Sequence, residues 1–276
     1  MTIHESLKVP QTPLERADFA ILDLAQDDTL LTWFYETTAT TSLDWSPLYA
    51  ETVHEESWQV GPILIQCRGH EGFIKAFQGR AQRQPIGVLV KAGDADLTTL
   101  TEQLRMNLTI HVANGDALFR FYDPRSLDAL FQVLEEHQIV HLMGSSQQWF
   151  WFNDGGWQMQ LLPNGVQRPE QDQRAPPVIS EGQLRELEVR KRDRVAEGLH
   201  THYRDYIPAS DSLGFVKTQV RVAAANGIER YRDLERWIRM AIAAKGPLEQ
   251  SEGWERLQKT GLDAKDILNQ LEHESA

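Results

Sequence analysis

Residues 163–180 read Pro163-Asn164-Gly165-Val166-Gln167-Arg168-Pro169-Glu170-Gln171-Asp172-Gln173-Arg174-Ala175-Pro176-Pro177-Val178-Ile179-Ser180. The four prolines and three glutamines in this stretch follow no apolar period. Proline has no backbone N–H and fixes φ, so the run suits neither a helix interior nor a central strand and reads as a linker. It divides the chain into an N-terminal region, 1–162, and a C-terminal region, 181–276, whose patterns differ. Ahead of it, Phe19–Leu24, Ile63–Cys67 and Ile86–Val90 are short apolar runs suited to buried strands. Between and after them lie helical patterns that open at Asp27-Asp28 and cover 70–80, Asp96–Asn107 and Ser126–His137, while Asp44–Tyr49 reads as a loop. Two hairpins are expected. Thr109–Val112 and Ala117–Tyr122 flank Asn114-Gly115, with Pro124 ending the second strand, and Gln148–Phe152 and Trp157–Leu161 flank residues 153–156. Strands alternating with helices predict an α/β (α+β) lobe with a mixed β-sheet flanked by helices.

Behind the linker the pattern is all-α. Ser180 and Gln183 have capping-box spacing before a long charged helix that ends near Tyr206. Further helices are expected over Ser212–Asn226 and Glu229–Ala244, then between Gly246-Pro247 and Gly261, and from an Asp263 cap to Leu271. In the third of these five helices, Tyr231, Leu234, Ile238, Ala241 and Ile242 form one apolar stripe.

The 276 residues carry a formal net charge of −12. Residues 1–170 hold 11 Lys+Arg against 22 Asp+Glu, and residues 171–276 hold 17 against 18, so the acidity belongs to the first region. An acidic surface argues against nucleic acid or an anionic membrane as partner, since both need a basic face. In the second region the run Arg185–Arg194 interleaves Glu186, Glu188 and Asp193, the pattern of a solvated helix face. A single cysteine, Cys67, excludes an internal disulfide and a multi-thiolate metal site, and its apolar run makes it a buried thiol. Met1–Leu14 lacks the charged and apolar regions of a signal peptide, and no run of 18 apolar residues occurs, so a cytoplasmic protein is expected.

No catalytic constellation emerges, and no cofactor or metal is expected. There is neither a glycine-rich phosphate loop nor a nucleophile elbow. His137-Gln138-Ile139-Val140-His141 imitates zincin spacing, but an amide at Gln138 cannot serve as the general base. His200 and His202, two apart on a helix, point to different faces. In the aromatic run, strand alternation sets Trp149 and Trp151 on one face, as core or as partner-binding residues, and Phe150 and Phe152 on the other. The most distinctive stretch is Phe119-Arg120-Phe121-Tyr122-Asp123-Pro124-Arg125. An arginine among aromatics in a buried strand needs a carboxylate or carbonyl partner, so Asp23, Arg105, Arg120, Asp123 and Arg125 are expected to form a structural network rather than a direct ligand site.

At this stretch the sequence resembles the bacterial type VI secretion effector chaperones, the Tap/TEC adaptor proteins, whose shared module was long filed as a domain of unknown function. The collinear landmarks are Ala20-Ile21-Leu22-Asp23 with Ala25-Gln26, Ser46-Pro47-Leu48-Tyr49, Gly61-Pro62, Leu104-Arg105, Phe119–Arg125 with Leu127, and Gly144 with the aromatic strand after it. The resemblance spans residues 17–155. This chain departs from the family in having Gln103 where a His usually precedes Leu-Arg. It also has Lys91-Ala92-Gly93 where the third strand usually ends with a Ser. The resemblance implies a non-catalytic protein that binds a cognate type VI effector, through the effector's N-terminal region, and loads it onto the VgrG spike. Effector contact is then expected in the groove between the two lobes, with Trp237 and Trp254 as candidate anchors. An immunity protein, or a hydrolase with a dispersed site, is the alternative.

Overall fold

The computed structural model describes residues 7–8, 17–112, 115–153, 155–165, 178–207 and 210–275. Most of the expected linker (166–177), the turn residues Asn114 and Asp154, and nearly all of Met1–Leu14 lie outside the described residues. The chain forms two compact units, residues 1–185 and 186–276.

The first unit runs β1 (Leu7–Lys8), β2 (Phe19–Asp23), α1 (Leu30–Thr38), β3 (Trp45–Pro47), β4 (Pro62–Gln66), α2 (Glu71–Ala81), β5 (Gly87–Lys91), α3 (Leu97–Met106), β6 (Thr109–Val112), β7 (Gly115–Leu118), α4 (Pro124–Val133), α5 (Glu136–Met143), β8 (Gln148–Asn153) and β9 (Gly156–Leu161). A seven-stranded sheet has the order β1-β9-β8-β5-β2-β4-β3, and β6-β7 is a separate hairpin. The region is a sheet flanked by helices, as expected, and β3 adds a short edge strand within the stretch expected as a loop. Each pairing in the described sheet is antiparallel, however, where a mixed sheet was expected. The reason lies in the crossover. β4 and β5, joined through α2, run in the same direction, but β2 lies between them and pairs antiparallel with both. A strand–helix–strand pattern signals parallel strands but not adjacent ones. Gly87 makes the insertion possible: its φ is +152°, and a Cβ there would sit 1.9 Å from the Ile21 carbonyl oxygen.

The central strands are buried on both faces, which explains their unbroken apolar runs. Ala20, Leu22, Ile63, Ile65, Leu89 and Phe150 pack with Leu30, Phe34, Phe73, Ile74 and Phe77 of α1 and α2. By pleat alternation Trp149 and Trp151 take the other face. There Phe131 of α4 lies 6.0 Å and 5.6 Å from the two indoles, ring centre to ring centre.

The second region is all helical, as expected. It comprises α6 (Glu181–Tyr203), α7 (Ser212–Ala225), α8 (Tyr231–Ala243), α9 (Glu252–Gln258) and α10 (Ala264–Ser275). The reciprocal cap of α6 is present: Gln183 N donates to Ser180 Oγ (3.2 Å) and Ser180 N to Gln183 Oε1 (3.0 Å). The first turn of α6 belongs to the first unit. On α8, Leu234, Ile238 and Ala241 are buried as the stripe requires, Trp237 joins them, and Tyr231 is exposed. Trp237 stacks edge-on with Trp254 at 4.6 Å and donates its indole N–H to the buried Gln219 (2.8 Å).

Candidate functional site

The run Phe119–Arg125 does not continue strand β7. It leaves the hairpin at Leu118, turns, and starts α4 at Pro124. The expectation that Pro124 ends a strand is therefore corrected: proline suits the first turn of a helix, where its missing N–H is not needed. Asp123 is the N-cap, accepting from Arg125 N at 3.0 Å, and the Arg125 guanidinium folds back on the same carboxylate at 2.9 and 2.7 Å. Freed from a strand, the run buries Phe119, Phe121 and Tyr122 together. Phe121 lies 6.0 Å from Trp149 and 5.2 Å from Tyr122.

Arg120 reaches Asp23, 97 positions away, with Nη2 2.5 Å from the carboxylate; Asp23 is 1% exposed and Arg120 37%. Asp23 ends β2 and also accepts from Gln26 Nε2 (2.6 Å) and Ala25 N (3.3 Å). Burial alone would pull the Arg120 pKa down, but the charge and hydrogen bond of Asp23 outweigh it and leave the guanidinium above its ordinary value. The same guanidinium lies 5.9 Å from the Tyr122 ring centre. The Tyr122 hydroxyl meets that of Tyr49 at 3.1 Å, and burial pushes its pKa far up, so it stays protonated.

Arg105 takes a different partner from the one expected. It binds Glu51 (2.7 Å) and the Pro47 carbonyl (3.2 Å), so the five-residue network resolves into Asp23–Arg120, Asp123–Arg125 and a separate Arg105–Glu51 pair. Arg105 thereby holds the segment 48–61 that joins β3 to β4, and the Tyr122–Tyr49 contact is a second tie. Tyr49 anchors its start against Gly61 at its end, where a Cβ would fall 2.4 Å from the Tyr49 ring. Glu51 holds a left-handed φ of 59°, a strained geometry for a side chain this long, worth about 1–3 kcal/mol. Leu24 N donates to the Gly61 carbonyl at 3.3 Å and Leu48 N to the Pro62 carbonyl at 2.9 Å, so the landmarks after Asp23, at Ser46–Tyr49, Gly61-Pro62, Arg105 and Tyr122 meet at this loop. Tyr49 and Gly61 are the members that residue-by-residue reading passed over; their signal was their place in Ser46–Tyr49 and Gly61-Pro62.

The other candidates lie elsewhere. Trp149, Trp151, Trp237 and Trp254 are at most 2% exposed and fill the cores of their own units, so none offers its ring to a partner in this conformation. Gln138 closes a capping box at the start of α5. Its amide group also exchanges bonds with Gln183 and donates to the Val178 carbonyl at 2.6 Å. Gln103 is buried and accepts from Ser145 N at 2.7 Å. Burial pushes the Cys67 thiol up to about 12. Among the described residues no group of three or more His, Cys, Asp or Glu could hold a metal ion. No helix among them is long and apolar enough to cross a membrane.

Residues 19–140 match a family model described as Domain of unknown function (DUF4123). The match contains Asp23, Arg105, Arg120, Asp123 and Arg125 and ends before the aromatic strand β8. No curated protein and no solved structure matches the chain.

Proposed function

We propose that the protein is an effector-specific chaperone and adaptor of type VI secretion, which binds a cognate effector in the cytoplasm and passes it to a VgrG spike. The resemblance of the Phe119–Arg125 run supplies the class. One structural observation supports it above the rest: the polar side chains of that run are committed to internal partners, Arg120 to Asp23 and Arg125 to Asp123. They hold the fold together, while Arg105 on Glu51 and Tyr122 on Tyr49 fix the 48–61 segment, as suits a module that presents a surface. The match of residues 19–140 to a family of unknown function is compatible with this reading.

The test is co-expression with the effector candidate encoded beside the gene. A chaperone raises the soluble yield of the full-length effector, co-purifies with its N-terminal region and is needed for its secretion. An effector equally soluble and equally secreted without this protein refutes the proposal. Tight inhibition of the effector's toxic domain, without binding to its N-terminal region, would identify an immunity protein instead.

A further inference from the structure

The Arg105–Glu51 and Tyr122–Tyr49 contacts hold a loop, and the outward face of that loop has a distinct chemistry. The loop 48–61 contains no Lys or Arg; of its acidic residues Glu51 is paired with Arg105, and Glu55 and Glu56 are exposed. Thr52, Val53, Glu55, Glu56, Trp58 and Gln59 line an open depression of about 700 Å³. Val53 is 90% exposed and Val60 58%. The half-buried Trp58 ring rests 5.9 Å from Trp45 on the edge strand β3, and Trp45 lies 6.3 Å from the exposed Tyr35. Single exposed apolar residues are ordinary, but here they adjoin a half-open tryptophan within an acidic border.

The loop is also preorganised. Thr52 Oγ1 donates to the Tyr49 carbonyl (2.6 Å), Ser57 N to the His54 carbonyl (2.9 Å) and Gly61 N to the Trp58 carbonyl (3.0 Å). Arg105 ties down Glu51, and Tyr122 meets Tyr49. A loop already fixed at both ends loses little conformational entropy on docking, so contacts made there convert efficiently into affinity.

We propose that this face, residues 52–60, docks a basic polypeptide segment bearing apolar side chains. Charge complementarity selects the occupant: Glu55 and Glu56 are exposed, the arginine bonded to the loop, Arg105, is already paired with Glu51, and a Lys- or Arg-bearing segment neutralises Glu55 and Glu56 while its apolar side chains cover Val53 and Trp58. The proposal deepens the chaperone reading and rests on it for the chain that carries the segment, namely the effector.

The experiment uses the full chain with two variants, Glu55→Lys/Glu56→Lys and Val53→Asp, and Glu71→Lys on α2 as a charge control. All four changed positions are exposed, so thermal melts should coincide with wild type. Each protein is co-expressed with the neighbouring effector, and a labelled helical peptide of Lys and Leu, with its Glu-for-Lys counterpart, is titrated in parallel. The expectation is at least tenfold weaker effector retention and Lys-peptide binding for both loop variants, no change for Glu71→Lys, and no binding of the Glu peptide. Undiminished effector retention by the loop variants overturns the docking surface and leaves the chaperone reading intact. If wild type retains no effector, the chaperone reading fails, and the peptide titration decides the surface alone: equal binding by wild type and variants overturns it. A change in solution mass on mutation would make the face a contact between copies, which also overturns it.

Discussion

Arg120→Ala tests the assignment of the Phe119–Arg125 run to positioning. The substitution removes the cation from a carboxylate that is 1% exposed and leaves it with two neutral donors, Gln26 Nε2 and Ala25 N. Stripping one partner from a fully buried ion pair costs about 3–5 kcal/mol. Two features lower that figure here. Arg120 is itself 37% exposed, so water already screens its half of the pair, and the two remaining donors still satisfy part of the carboxylate. The expected loss is about 2–3 kcal/mol, including a few tenths for the lost contact over Tyr122. With a urea m-value of about 3 kcal/mol/M for a unit of this size, the midpoint of the first unit's transition should fall by about 0.7–1 M. A double-mutant cycle isolates the pair. Asp23→Asn alone should cost about 1–2 kcal/mol, and Arg120→Ala added to it should cost much less than it does in wild type, giving a coupling of about 1.5 kcal/mol. A midpoint for Arg120→Ala within about 0.2 M of wild type, or a strictly additive double variant, would refute the reasoning. A stable Arg120→Ala protein that loses its partner would make Arg120 a contact residue.

Three other outcomes are expected. Gly61→Ala puts a methyl group into the Tyr49 ring at 2.4 Å; the ring must leave Tyr122, and thermal melts should show a loss of about 1–3 kcal/mol with a changed near-UV dichroism signal. Gln138→Glu completes a zincin-like His-Glu-x-x-His sequence, yet zinc titration should show no stoichiometric uptake. The melting temperature should fall, because a carboxylate cannot donate to the Val178 carbonyl as the amide does at 2.6 Å. Glu272 on α10 is held below its ordinary value of 4.5, first by its hydrogen bond from Arg236. A carboxyl depressed in the folded state contributes stability that is present above the unfolded value and lost as pH falls through the folded one. Glu272→Gln should therefore flatten the pH dependence of the second unit's stability below about pH 4.5, and an unchanged slope would count against the Arg236–Glu272 pairing.

Most elements were legible because their signals are local. The strands β2, β4 and β5 are unbroken apolar runs, the α6 cap is spelled by Ser180 and Gln183, and α8 shows its buried face in the spacing of Leu234, Ile238 and Ala241. The run 119–122 was misread for a reason equally local. Alternating Phe-Arg-Phe-Tyr imitates a strand, while Asp123-Pro124, a cap followed by a first-turn proline, actually announces a helix. The network was only half legible. Burial of an arginine among aromatics demands a carboxylate or a carbonyl, but sequence proximity cannot choose the partner: Asp123 was bound by its neighbour Arg125, Asp23 was left for Arg120, and Arg105 went to Glu51 and the Pro47 carbonyl.

Sequence alone thus determined two regions of different class, an acidic sheet-and-helix part and a charge-balanced helical part, because periodicity, proline content and charge are properties of short windows. It also singled out Phe119–Arg125. Only the tertiary structure decided that β2 separates β4 from β5 and makes the sheet antiparallel, and that the scattered landmarks converge on one loop. Strand order and ion-pair choice depend on which distant groups share a desolvated space, and that is settled by packing between residues as far apart as Asp23 and Arg120.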